Sequence, residues 1–174
     1  MTVTNSLIAK VTSLALAISP ANNAPTYCQR DCTLSNSGAA IIRTFEGYSP
    51  FVYKDSGGLP TIGYGHLVIK GEKFPEPFLP DQANEQLMKD AKKAVAGVNQ
   101  HVKVKLKQSQ ADPTISFTYN VGVGALAGST LLKKINSEKH SEVPPEFLKW
   151  VKVKGKIIQG LVNRRTAEAE LYKQ

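Results

Sequence analysis

Two carboxylic acids and a hydroxyl lie close together in the stretch from Phe45 to His66, FEGYSPFVYKDSGGLPTIGYGH. Glu46 is followed at once by Gly47. Asp55 comes nine positions after Glu46, directly before Ser56-Gly57-Gly58, and Thr61 six positions after Asp55. Two carboxyls flanking a substrate bond can divide one task. One, as the acid, protonates the leaving oxygen; the other, as the carboxylate, directs water or forms a covalent intermediate, as in glycoside hydrolysis. The two must then sit in different environments. A donor that keeps its proton near neutral pH needs burial, and a partner that stays ionised needs an open, polar turn. Glu46, with Phe45 and Tyr64 as candidate apolar neighbours, suits the donor, and Asp55 suits the ionised partner. Thr61 is neither acid nor base at neutral pH, but its hydroxyl can hold an attacking water. Spacing alone proves nothing. A glutamate at a helix end and an aspartate before Ser-Gly-Gly are both ordinary features.

The elements that must position these groups follow from the pattern around them. Ser37 can cap a helix running through Glu46, with Ala40, Ile41, Ile42 and Phe45 inward and Gly47 as its stop. Phe51–Tyr53 and Thr61–Tyr64 are β-prone and flank the Gly-Gly turn, so they predict a hairpin. Leu67-Val68-Ile69 can add a third strand, and the proline-rich segment 74–80 closes this small unit. A long helix is expected from Asp81, as its N-cap, to about Val102. Ala83, Leu87, Ala91, Ala94 or Val95, Val98 and Val102 recur along it at three- and four-residue spacing. Lys103, Lys105 and Lys107 read as a solvated exit strand. Pro113 predicts the next helix to begin at Asp112, with proline in the first position, and to stop at Gly122. A short helix around Phe147 and Trp150 and a last helix from Gly160 to Tyr172 complete the chain.

Phe-Glu-Gly, Tyr-Lys-Asp and Thr-Ile-Gly-x-Gly-His occur in order and in register, and together they closely resemble the catalytic signature of the phage lysozyme family, glycoside hydrolase family 24. Asn120-Val-Gly-x-Gly, Ser129-Thr-Leu-Leu and Gly160-Leu-Val-x-Arg-Arg-x-x-Glu resemble the family's later motifs, so the likeness runs from about residue 38 to 172. The resemblance implies an α+β, mostly helical lysozyme-like fold, with a small β-hairpin lobe and a larger helical lobe joined by a long helix. It also implies an inverting muramidase that uses Glu46, Asp55 and Thr61, touches the glycan through Leu67 and Tyr119, and requires no cofactor. The biological setting it implies is an endolysin. His66 then reads as a structural, hydrogen-bonded histidine, and Arg164 and Arg165 as partners of acids in the C-terminal lobe such as Glu168. One departure is Gln110-Ala-Asp-Pro-Thr, where the family usually continues with a hydrophobic run after glutamine.

The remaining composition bounds the partners. A chain of 174 residues can bury a core, and its 41% hydrophobic and 21% charged content suits a globular protein. The net charge of +8 is concentrated C-terminally: residues 100–174 hold 13 basic and 6 acidic side chains. Nucleic acid, an anionic membrane and an anionic wall polymer all fit that charge. No nucleic-acid motif accompanies it. Cys28 and Cys32 are too few for a zinc site, which leaves a local disulfide or two free thiols. Residues 1–25 are mildly apolar, interrupted by Lys10, and too weak for a stable transmembrane helix. They resemble the signal-anchor-release segments of some phage lysozymes, which implies export to the periplasm through a temporary inner-membrane anchor. The alternatives are a cleaved signal, a helix packed on the body, or a cytoplasmic enzyme released by a holin. Residues 26–37 read as a linker carrying the cysteine pair and 38–174 as the catalytic domain of a monomer. Two rival readings are a non-catalytic wall-binding or morphogenetic module on the same scaffold and a basic membrane-disrupting protein.

Overall fold

The computed structural model describes residues 27–55 and 57–174. The N-terminal segment of residues 1–25 lies outside them. In chain order the elements are β1 (Tyr27–Cys28), α1 (Asn36–Glu46), β2 (Ser49–Lys54), β3 (Pro60–Gly63) and β4 (His66–Leu67). They are followed by α2 (Pro80–Asp90), α3 (Lys92–His101), β5 (Leu106–Lys107), α4 (Gln108–Val121), α5 (Val123–Gly128) and α6 (Thr130–Asn136). A 3₁₀ turn (His140–Glu142), α7 (Pro144–Phe147), β6 (Lys152–Val153), β7 (Lys156–Ile157) and α8 (Gln159–Tyr172) complete the chain. The expected α+β architecture is present, dominated by helices with short antiparallel strands.

α4 is the hub of the helical part. It packs against α1, α3 and α8, and every residue from Gln110 to Thr118 is buried. A helix wrapped on all sides cannot solvate its polar side chains. Thr114 and Thr118 therefore donate to the carbonyls of Gln110 and Thr114, each at 2.7 Å. This packing also overrides the start expected from Pro113. α4 begins at Gln108, and the proline lies inside it. Pro113 supports helical φ and removes one rung, that to Ser109. Asp112, expected as the cap of its own helix, instead reaches back to the start of α1. It accepts from Ser35 N–H at 2.9 Å and from the Ser35 hydroxyl at 2.5 Å. Ser35, rather than Ser37, is the N-cap of α1, and its oxygen accepts from Gly38 N–H. The face turned inward shifts accordingly to Gly38, Ala39 and Ile42.

The long helix expected from Asp81 to Val102 is two helices, α2 and α3, meeting at Ala91. Leu79 stands at the N-cap of α2 and Pro80 opens it, so Asp81 lies in the first turn. Periodicity alone could not reveal the interruption, because the buried stripe Ala83, Leu87, Ala91, Ala94, Val98 runs straight through it.

Two apolar clusters result. The larger joins the helices around Leu106, Ile115, Phe117, Leu131 and Phe147. The smaller, Ile62, Phe78 and Ala83, lies under the three-stranded sheet β2-β3-β4, and Tyr64 packs against both. The third strand is shorter than expected, pairing His66 with Ile62 and Leu67 with Thr61. The stretch expected as a linker is also packed. β1 pairs with β5, Cys28 and Cys32 form a disulfide, and Asn99 grips both the N–H and the carbonyl of Cys32 at 2.9 Å.

Candidate active site

Glu46 is the last residue of α1. Gly47 ends the helix because it adopts φ 76°, a conformation costly for any side chain, and its N–H closes on the Arg43 carbonyl. The glutamate carboxyl is therefore presented at a chain reversal. Its partner is Arg164 of α8, whose Nη1 donates to Oε1 at 2.7 Å. Arg164 is 118 residues away in sequence and almost fully buried, whereas the Glu46 side chain retains a quarter of its exposure. The expected packing of Glu46 against apolar groups is thus replaced, on one side, by a cation. Tyr119 of α4 faces the same place. Burial raises its hydroxyl above the ordinary tyrosine range; the negative charges of Glu46 and Asp90 add to this, and Arg164 opposes it.

Asp55 is built differently. It follows β2, and its Oδ1 accepts from Gly57 N–H at 2.8 Å and Leu59 N–H at 2.9 Å. Its own N–H donates to the Leu59 carbonyl. The side chain therefore shapes the turn, as an aspartate before Ser-Gly-Gly should, and no cation pairs with it among the described residues. Thr61 lies on the middle strand between Tyr53 and Leu67, is nearly buried, and donates to the Leu59 carbonyl at 3.2 Å. Thr61 and Leu67 thus share one small sheet, with Leu67 exposed and Asp55 in the turn between its first two strands, while Glu46, Arg164 and Tyr119 gather on the helical side. Neither Asp55 nor Thr61 hydrogen-bonds to Glu46 among the described residues.

His66 is fully engaged. Nδ1 lies 2.9 Å from Asp90 and Nε2 3.0 Å from Glu72, and Gln86 adds a further contact. Hydrogen bonds from Ile69 N–H and from His66 hold the Glu72 carboxyl below its ordinary range. Nδ1 joins the sheet to α2 through Asp90 and Nε2 ties it to Glu72 in the loop after β4, so the structural reading of this histidine stands.

Arg164 is the residue of this site whose role the sequence left incomplete. Its pairing with Glu168, four residues on, is present at 3.2 Å. The second contact, to Glu46, depends on the crossing of α1 and α8, which no local spacing encodes.

A helical body with a small sheet beside it, and an acid at the helix end facing that sheet, defines a lysozyme-like class of protein. Residues 43–168 match the family model described as phage lysozyme. The chain belongs to the phage lysozyme family. It is 39% identical over 145 residues to an endolysin of Bacillus phage B103, covering 80% of this chain and 53% of that relative, so it spans about half of that relative's length. A SAR-endolysin of Enterobacteria phage PA-2 is 32% identical over 129 residues, covering 72% of this chain and 76% of the relative. Among solved structures, the endolysin from Escherichia coli O157:H7 phage FAHEc1 superimposes with a TM-score of 0.74 at 38% identity, covering 83% of this chain and 96% of that one.

Proposed function

We propose that the protein is an endolysin with muramidase activity, hydrolysing the β-1,4 bond between N-acetylmuramic acid and N-acetylglucosamine in peptidoglycan. The observation that carries this reading is the contrast between the two carboxyls. Glu46 is part-buried and held by Arg164, while Asp55 stands in an open backbone turn. Glu46 acts as the general acid, and Arg164 stabilises the carboxylate left once the proton has moved to the leaving oxygen. The Asp55 side chain orients water or steadies positive charge on the sugar ring, and the Thr61 hydroxyl turns from the Leu59 carbonyl to that water. Leu67, exposed on β4, and Tyr119, beside Glu46, contact the glycan. Inversion is the expected outcome, as the family resemblance implies, and it calls for a carboxyl separation of roughly 6.5–9.5 Å that leaves room for water.

Residues 1–25 form the export or signal-anchor segment in this reading, which directs the enzyme to the periplasm and makes a temporary inner-membrane contact. Two observations support it: the likeness to SAR-endolysins and the Cys28–Cys32 disulfide, a bond that persists in oxidising compartments. Among the described residues no helix is long and apolar enough to cross a membrane. The decisive test is turbidity clearing of permeabilised cells by wild type and Glu46→Gln. The variant is expected to stay folded and to clear cells slower by roughly 10²–10⁴-fold. A folded, active Glu46→Gln protein would overturn the assignment.

A further inference from the structure

Behind Glu46 lies a buried charge cluster whose balance depends on a residue that touches no substrate. Glu168 lies four residues after Arg164 and three after Arg165 on α8, so it can meet both. Glu168 is completely buried and serves both arginines. Its Oε1 accepts from Arg164 Nε at 3.2 Å and from the Ser116 hydroxyl of α4 at 2.7 Å, and its Oε2 accepts from Arg165 Nη1. Arg164 also donates to the Ser116 carbonyl at 3.2 Å. Arg165 is fixed in turn by Asn120 and by the Trp150 carbonyl, with its guanidinium 4.9 Å over the Phe117 ring. The guanidinium facing Glu46 therefore has no freedom of its own.

Charge counting gives the cluster its meaning. Two guanidiniums meet one buried carboxylate, which leaves one net positive charge, and Glu46 is the group that faces it. When Glu46 is ionised the four groups are neutral together. When it carries its proton, one positive charge is left without a partner.

We propose that Glu168 is a positioning residue of the reaction: it fixes Arg164 on Glu46 and cancels one of the two arginine charges, so that the acid faces a single positive charge. This rests on the assignment of Glu46 as the proton donor. Neutralising Glu168 would leave two positive charges behind the acid and favour its carboxylate over its protonated form; neutralising Arg165 would leave none and favour the reverse.

Other titratable groups face Glu46. Tyr119 lies on α4, with Asp90 of α2 beyond it. On the sheet side Tyr64 and His66 flank Gly65, where an added Cβ would lie 3.5 Å from Glu46 Oε2. His66 is occupied by Asp90 and Glu72, and Asp55 lies at the far end of the hairpin. On α1 itself Arg43 is taken up by Asn84. None of these groups is tied to both arginines, so a charge change at position 168 or 165 tests the cluster separately from them.

The experiment compares pH–rate profiles on solubilised peptidoglycan for wild type, Glu168→Gln, Arg165→Met and the double variant, with Glu46→Gln as a control. Glu168→Gln raises the net charge facing Glu46, and its alkaline limb is expected to move down by roughly one pH unit, costing about tenfold in rate near neutrality and little at acid pH. Arg165→Met lowers that charge and should move the limb up. The double variant restores the count and should return the limb to its wild-type place, even if the rate is lower. Should Glu168→Gln fail to fold, the opposition between Arg165→Met and the double variant still decides. Limbs that coincide across the folded variants, or that all move the same way, overturn the proposal. An active Glu46→Gln control would instead overturn the functional reading on which it rests.

Discussion

The two sides of the site differ in how firmly each holds its carboxyl. On the helical side Glu46 is gripped by Arg164, which is gripped by Glu168, which is shared with Arg165 and Ser116, and all but Glu46 are buried. On the sheet side Asp55 is held by two backbone N–H groups, in a hairpin whose outer strand carries exposed Phe51, Val52 and Tyr53 over a core of only three buried residues. The contrast matches the chemistry proposed for each. A proton donor needs a charge environment set in advance, which only rigid, low-dielectric surroundings supply. A carboxylate that works with water needs solvent within reach, and a turn aspartate has it.

The largest effect that could break this comparison is chemical. Glu46→Gln is expected to abolish most activity without loss of fold, whereas a substitution confined to the sheet's outer face should alter neither. The next is mechanical. Phe117→Ala, in the large core and under the Arg165 guanidinium, should destabilise the protein by about 3–5 kcal/mol in denaturant unfolding. Phe51→Ala, on the exposed strand, should change stability by no more than about 0.5 kcal/mol. Equal costs at the two positions would refute the difference in rigidity.

A smaller effect follows from pH. Hydrogen bonding and charge from Lys134, with help from Lys149, lower the Glu146 carboxyl below its ordinary range. A lowered acid contributes stability that is fully present above its unfolded value and is lost as pH falls through the folded one. The stability gap between wild type and Glu146→Gln should therefore be widest near neutrality and close on acidification. A gap that does not change with pH would remove that ion pair from the account of the helical side. The smallest effect concerns Lys152, Lys154 and Lys156 on the exposed β6–β7 hairpin, just ahead of α8. Replacing all three by glutamine should slow clearing of cell walls a few-fold at low salt and leave hydrolysis of a short neutral chito-oligosaccharide unchanged. The difference should fade above about 0.15 M salt, as screening shortens the reach of the charges. Equal slowing on both substrates would place those lysines in the cleft chemistry instead of wall accumulation.

Much of this was legible from residue types. Glu46 before Gly47, Asp55 before Ser-Gly-Gly and the strand patterns around them specify a helix end and a hairpin, because a glycine stop and a Gly-Gly turn act over a few residues. The helices around Phe147 and before Tyr172, the stop at Gly122 and the pairing of Arg164 with Glu168 are local in the same sense, set by spacing along one element. The failures share an opposite cause. Ser35 displaces Ser37 as the cap because Asp112, 77 residues away, holds it, and α4 keeps Pro113 inside because three helices enclose it. The packed Cys28–Cys32 strap depends on Asn99 and β5 in the same way. Above all, the contact between Arg164 and Glu46 exists only where α8 crosses the end of α1. Sequence by itself determined which groups could do chemistry and which local elements carry them, because turns, caps and periodic faces are short-range. Tertiary structure alone decided which charge each group feels, because burial and opposite charge depend on distances between elements that no spacing along the chain records.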